Sequence, residues 1–163
     1  AIEVLDVDRE ISPKVLAQGV EQTFWPGRME EVLPEIFVDG AHNADGIRAF
    51  LETVSEDAFE GKRNLMFSVV SDKDYAQMLR KITQSGLFHK IYLAQMGNYR
   101  ATSLEEMKSH LSEEYSGQVY LFETVRDAFE AVKETKLKNE RVYIVGSLYL
   151  VGEIKEYVDD DKF

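Results

Sequence analysis

The 163-residue sequence contains no cysteine. That excludes disulfides and thiolate metal sites, and it suits a reducing compartment. Proline is scarce, with three scattered residues, and no internal repeat or low-complexity segment interrupts the chain, so an ordered domain is expected. No apolar run is long enough to span a membrane and no signal-type segment opens the sequence, which reads as cytoplasmic. Cations are outnumbered: 19 Lys and Arg stand against 30 Asp and Glu, a net charge of −11. Without a basic stripe to neutralise phosphates, a nucleic-acid partner is not expected. Any small anionic ligand must then be met by a few local cations or backbone N–H groups. What is present is apolar content, 44% of residues, which at this length supports one domain, residues 1–163, with a sizeable core.

The stretch from Ile36 to Ile47 carries the most local information. Ile36, Phe37 and Val38 form a short apolar run of the kind a buried parallel strand needs. Gly40 permits a tight turn, and Asn43 is a good N-cap for a helix with Ala44, Ile47, Phe50, Leu51 and Val54 inward. Asp39, His42 and Asn43 are thereby placed at the carboxyl edge of a sheet beside a helix start, where ligands bind in open α/β folds.

The same alternation runs through the rest of the chain. Ser12-Pro13 opens a helix that ends near Phe24, and Trp25-Pro26-Gly27-Arg28 forces a turn that delivers Arg28. Residues 29–33 are predicted to pair as a hairpin with 36–39. Strands follow at 64–70, 91–94, 119–122 and 141–145, each succeeded by an amphipathic helix, with capping signals at Ser103/Glu106 and Thr124/Asp127. The pattern predicts an α/β fold: a Rossmann-like, mostly parallel sheet of about six strands, helices on both faces, and one antiparallel strand near the N-terminal side. The polar joins at 39–43, 71–74, 95–100 and 146–147 then fall on one edge.

Two common chemistries find no support in the motifs. There is no G-x-x-x-x-G-K-[ST] and no G-x-G-x-x-G, so the chain alone does not read as an ATPase or an ordinary dinucleotide enzyme. His42, His89 and His110 lack a shared ligand spacing, and no metal site is expected. A Ser-His-Asp hydrolase drawn from Ser147, His42 and Asp39 lacks the G-x-S-x-G elbow, and Ser147 reads more simply as a helix cap.

Taken together and in this order, Trp25-Pro26-Gly27-Arg28, Asp39-Gly40-Ala41-His42-Asn43, Asp72-Lys73-Asp74 and Gly146-Ser147-Leu148-Tyr149 resemble the C-terminal domain of folylpolyglutamate synthase/dihydrofolate synthase enzymes, within the wider Mur ligase family. The resemblance runs from about Ser12 to the last helix. One departure is Ala44-Asp45, where the family usually continues with proline. Two alternatives of other kinds are a non-catalytic binding or interaction module of the same fold, and the corresponding domain of a peptidoglycan Mur ligase.

The resemblance implies a larger partner domain in the same protein, a P-loop ATPase domain carrying the Mg2+ ligands, over which this domain closes. It implies activation of a folate or pteroate carboxylate by ATP as an acyl phosphate, which the amine of L-glutamate attacks, and an isolated domain that is inactive. Carried over by position, Arg28 would contact ATP phosphates and Asp39 the ribose hydroxyls. Asn43 and Lys73 would lie with them at the nucleotide, and Arg100 would offer another cation. His42 and Ser147 would position glutamate or the acyl phosphate.

Overall fold

The computed structural model describes residues 12, 14–15, 25–71, 73–97 and 101–160. Lys14 and Val15 are helical, but most of the helix expected over Ser12 to Phe24 lies outside the described residues, as do Asp72, Asn98, Arg100 and Asp161.

Six strands form one sheet in the order β1-β2-β6-β3-β4-β5. They are β1 (Glu30–Leu33), β2 (Ile36–Val38), β3 (Lys62–Phe67), β4 (Lys90–Ala94), β5 (Gln118–Phe122) and β6 (Glu140–Val145). Among the described residues five helices alternate with them: α1 (Ala44–Glu56), α2 (Tyr75–Gln84), α3 (Leu104–Ser109), α4 (Val125–Thr135) and α5 (Leu148–Asp160). Among these six strands only β1 runs antiparallel, paired to β2 through the Pro34-Glu35 turn. Every other neighbouring pair is parallel. The predicted α/β architecture is the one observed.

Side-chain alternation on the central strands divides the core. Leu65, Phe67, Tyr143 and Val145 face α1, α2 and α3, whereas Met66, Val142 and Ile144 face α4 and α5. The helix starts follow the predicted caps: Asn43 Oδ1 accepts from Gly46 N at 2.8 Å, Ser103 Oγ from Glu106 N at 3.2 Å and Thr124 Oγ1 from Asp127 N at 3.0 Å.

Two boundaries differ from expectation. The strand predicted at 64–70 occupies Lys62–Phe67, because the Ser68 hydroxyl donates to Ala94 O at 2.7 Å and the chain leaves the ladder. Val69 and Val70 are still buried, so their apolar character reflects core packing rather than strand pairing. The inward spacing of Leu104, Met107 and Leu111 predicts a helix reaching Leu111, yet α3 stops at Ser109, where His110 N and Leu111 N turn to the carbonyls three residues back, a tightening common at helix ends.

The strand order matters for function. β6 returns to the middle of the sheet, between β2 and β3. α1 leaves β2 for one face, and α5 leaves β6 for the other. Adjacent strands whose following helices diverge leave a crevice at their carboxyl ends, where open α/β sheets bind ligands.

Candidate active site

The crevice is built from three polar turns tied together by backbone hydrogen bonds. Asp39 N donates to Ile144 O at 3.0 Å and Gly146 N to Ala41 O at 3.0 Å, which sets the join after β2 beside the join after β6. Gly40 N donates to Gly27 O at 2.6 Å, which brings in the turn before β1. Gly146 has φ +122°, a conformation that L side chains rarely adopt, and it delivers Ser147 to the start of α5.

Asp39 is the organising side chain. It is buried, and its Oδ1 accepts from Ala41 N at 2.8 Å and lies 3.2 Å from Arg28 Nη1, while Oδ2 accepts from Met29 N at 3.0 Å. An ionised carboxylate has about four acceptor positions, so three donors leave little for a further partner. Arg28, by contrast, has 48% of its side chain exposed and presents the free part of a planar, permanently charged fork at the rim. Met29 has φ +43°, a left-handed backbone that a non-glycine residue keeps only when its surroundings hold it. The Asp39 bond to its amide is part of that hold.

His42 and Ser147 share a cavity of about 130 Å³ with Lys73, Val70, Gly146, Leu148 and Tyr149. The Nδ1 of His42 lies 2.7 Å from Gly40 O, so Nδ1 is the protonated donor and Nε2 is left to face other groups. Ser147 is 3% exposed and its Oγ accepts from Tyr149 N at 3.1 Å, capping α5. The hydroxyl proton remains available to a ligand. Asn43 is exposed, with its side-chain oxygen engaged in capping α1. Around this edge Trp25, Leu148 and Tyr149 are all more than half exposed, an apolar rim to a polar crevice.

The structure therefore brings Arg28, Asp39, His42, Lys73 and Ser147 to one edge of the sheet, with Asn43 at the adjoining helix start. Among the described residues no group of three or more His, Cys, Asp or Glu side chains is arranged to hold a metal ion, and no helix is long and apolar enough to cross a membrane.

A further pair went unremarked in the sequence. Glu30 Oε2 accepts from Gly27 N at 2.7 Å, and Lys155 Nζ donates to both Glu30 oxygens at 2.8 and 3.0 Å. Burial alone would raise the Glu30 carboxyl, but Lys155 and the Gly27 amide outweigh it and hold it below the ordinary carboxylate value. A carboxylate three residues after a turn glycine was the available signal. Its partner, 125 residues away, left none.

Residues 27–148 match the family described as Mur ligase, glutamate ligase domain. The chain belongs to that family. It is 30% identical over 148 residues to the dihydrofolate synthase/folylpolyglutamate synthase of Bacillus subtilis, an alignment covering 90% of this chain and 33% of the relative. It is 29% identical over 153 residues to the folylpolyglutamate synthase of Lacticaseibacillus casei, covering 90% and 32%. Among solved structures, that of Escherichia coli FolC in complex with DHPP and ADP superposes with a TM-score of 0.80 at 22% identity, covering 94% of this chain and 36% of that one. The bifunctional folylpolyglutamate synthase/dihydrofolate synthase of Yersinia pestis, complexed with AMPPNP and Mn ion, gives 0.80 at 22% identity, covering 97% and 37%. These structures share the fold, and the chain spans about a third of the length of the relatives it matches.

Proposed function

We propose that this chain is the C-terminal, glutamate-ligase domain of an ATP-dependent ligase that joins L-glutamate to folate or dihydropteroate, working against a P-loop ATPase domain of the same protein. The observation that carries the reading is the shared edge: the exposed guanidinium of Arg28 and the His42–Ser147 cavity lie on turns bonded directly to one another. Joining two carboxylate-bearing substrates with ATP crowds anions into one cleft. In a chain of net charge −11 only closely placed donors offset that charge.

The donor set fits a nucleotide in part. Arg28 would hold phosphate oxygens with its free N–H groups, and Lys73 would add a mobile cation from the facing turn. Asp39 is spent on Arg28 and two backbone amides, so its role is to aim the guanidinium, in preference to the ribose contact expected from the sequence. Bound ATP would supply the phosphoryl group that activates the acceptor carboxylate. His42, fixed through Nδ1, and the Ser147 hydroxyl would orient the incoming glutamate. Among the described residues no group of three or more His, Cys, Asp or Glu side chains could hold Mg2+. The exposed Trp25, Leu148 and Tyr149 would pack against the partner domain and exclude water from the closed cleft.

Initial rates of the intact ligase test this division. Arg28→Ala is expected to raise KM for ATP by about 10–100-fold, the worth of a charged hydrogen bond, with KM for glutamate within about twofold. His42→Ala is expected to do the reverse. Equal rises in both constants for either variant would overturn the assignment.

A further inference from the structure

The turn that presents Arg28 is held from the last helix, at the far end of the chain. We propose that Glu30 and Lys155 are positioning residues for Arg28: the ammonium fixes the carboxylate, the carboxylate binds the Gly27 amide, and the Gly27 turn sets where the guanidinium points. The proposal rests on the reading of Arg28 as the phosphate contact.

The three amides of the turn each have an acceptor. Gly27 N donates to Glu30 Oε2, Arg28 N to Trp25 O at 3.0 Å and Met29 N to Asp39 Oδ2. The acceptor for Arg28 belongs to the turn itself, and Asp39 belongs to the neighbouring turn. Only the Gly27 bond depends on a side chain whose orientation is set by a helix, through Lys155 on α5. Gly27 has φ +73°, and a Cβ built there would lie 3.3 Å from Val151 Cγ1, also on α5, so the turn rests on that helix as well as being bonded to it. Burial leaves the Glu30 side chain 12% exposed against 37% for Lys155. The ion pair is thus partly shielded, and it anchors a specific geometry rather than decorating the surface. α5 is also capped by Ser147, so one helix connects the glutamate-side cavity to the Arg28 turn. Any displacement of that helix would reach both halves of the site.

The intact ligase carrying Glu30→Ala, Glu30→Gln, Lys155→Met and the Glu30→Gln/Lys155→Met pair, each with and without Arg28→Ala, tests the proposal, with initial rates against ATP and against glutamate and a thermal melt for each variant. Glu30→Ala is expected to raise KM for ATP about tenfold, equivalent to about 1.4 kcal/mol, while kcat and KM for glutamate stay within about twofold. Glu30→Gln keeps an oxygen for the Gly27 amide, so it and Lys155→Met are expected to raise KM for ATP only about threefold. Together they should act no more strongly than either alone, because both break one contact. In the Arg28→Ala background Glu30→Ala should add nothing. If it adds its full factor there, or if it lowers the melting temperature with KM for ATP unchanged, Glu30 does not position Arg28 and the proposal fails while Arg28 keeps its role. If Arg28→Ala itself leaves KM for ATP unchanged, the phosphate reading falls and the positioning proposal falls with it.

Discussion

Lys90 Nζ lies 3.0 Å from Oε1 and 3.2 Å from Oε2 of Glu140, a carboxylate that is 1% exposed at the amino edge of the sheet. Burial alone would raise the Glu140 carboxyl, but the Leu137 amide and Lys90 outweigh it and hold it below its ordinary value. Lys90 is penalised by burial yet raised overall by Glu140. The depressed carboxyl contributes stability above its unfolded pKa that is lost as pH falls through the folded value. The raised ammonium contributes stability below its unfolded pKa that is lost as pH rises through the folded one. Lys90→Met leaves a buried carboxylate without its partner and is expected to cost about 3 kcal/mol near neutral pH, lowering Tm by about 6–12 °C for a chain of this size. Melts at decreasing pH check the origin of the loss: the gap between variant and parent should close as Glu140 takes up its proton.

Gly146 is the second position where geometry fixes an outcome. With φ +122°, a Cβ there would sit 2.4 Å from Ser68 O and 2.9 Å from Phe67 Cε2. Gly146→Ala combines backbone strain with a clash against the centre of the sheet and is expected to cost about 3 kcal/mol in a denaturant titration. Because Gly146 N holds Ala41 O, the variant should also separate the two joins that flank the His42 cavity. If the proposed function holds, the intact protein should then lose affinity for glutamate more than for ATP.

The fold was legible where sequence pattern and burial coincide. Ile91 to Ala94 and Val142 to Val145 are apolar runs that became interior strands, and Asn43, Ser103 and Thr124 cap helices as their types require. The place of β6 between β2 and β3 was not legible, because local periodicity carries no information about which strand a crossover returns to. The convergence of Asp39, His42 and Ser147 on one edge followed from alternation, since every join after a parallel strand falls on the same side, whereas Arg28, which precedes the antiparallel β1, was placed with them only by the family resemblance. What Asp39 does there did not follow. Residue type named a carboxylate at a strand end, and only coordinates show three donors already on it. The same limit hid Lys155, whose partner is distant in sequence and adjacent in space.

Ala44 occupies the first turn of α1 just after its cap, Asn43, where the family pattern has proline. N–H groups in a first turn have no partner within the helix, and proline matches the backbone angle needed there. Ala44→Pro is therefore expected to stabilise the chain by about 0.5–1 kcal/mol, chiefly by restricting the unfolded state. A rise in the denaturation midpoint without a change in slope would check this. Loss of stability would mean that the turn at His42-Asn43 is set differently from a proline-compatible one.

Ser147 allows capping to be separated from ligand contact, because its oxygen and its hydroxyl proton serve different partners. The oxygen accepts from Tyr149 N, and removing it in Ser147→Ala should cost about 1 kcal/mol of stability. Glycine is itself a tolerable N-cap, so Ser147→Gly should cost only a few tenths of a kcal/mol while removing the hydroxyl as completely as alanine does. If the hydroxyl orients glutamate, both variants should raise KM for glutamate by a similar factor, about 5–10-fold for one neutral hydrogen bond of roughly 1–1.4 kcal/mol, despite their different melting temperatures. If Ser147 acts only as a cap, the kinetic effect should follow stability, and Ser147→Gly should be kinetically close to the parent. Paired melts and glutamate titrations of the two variants decide between these outcomes.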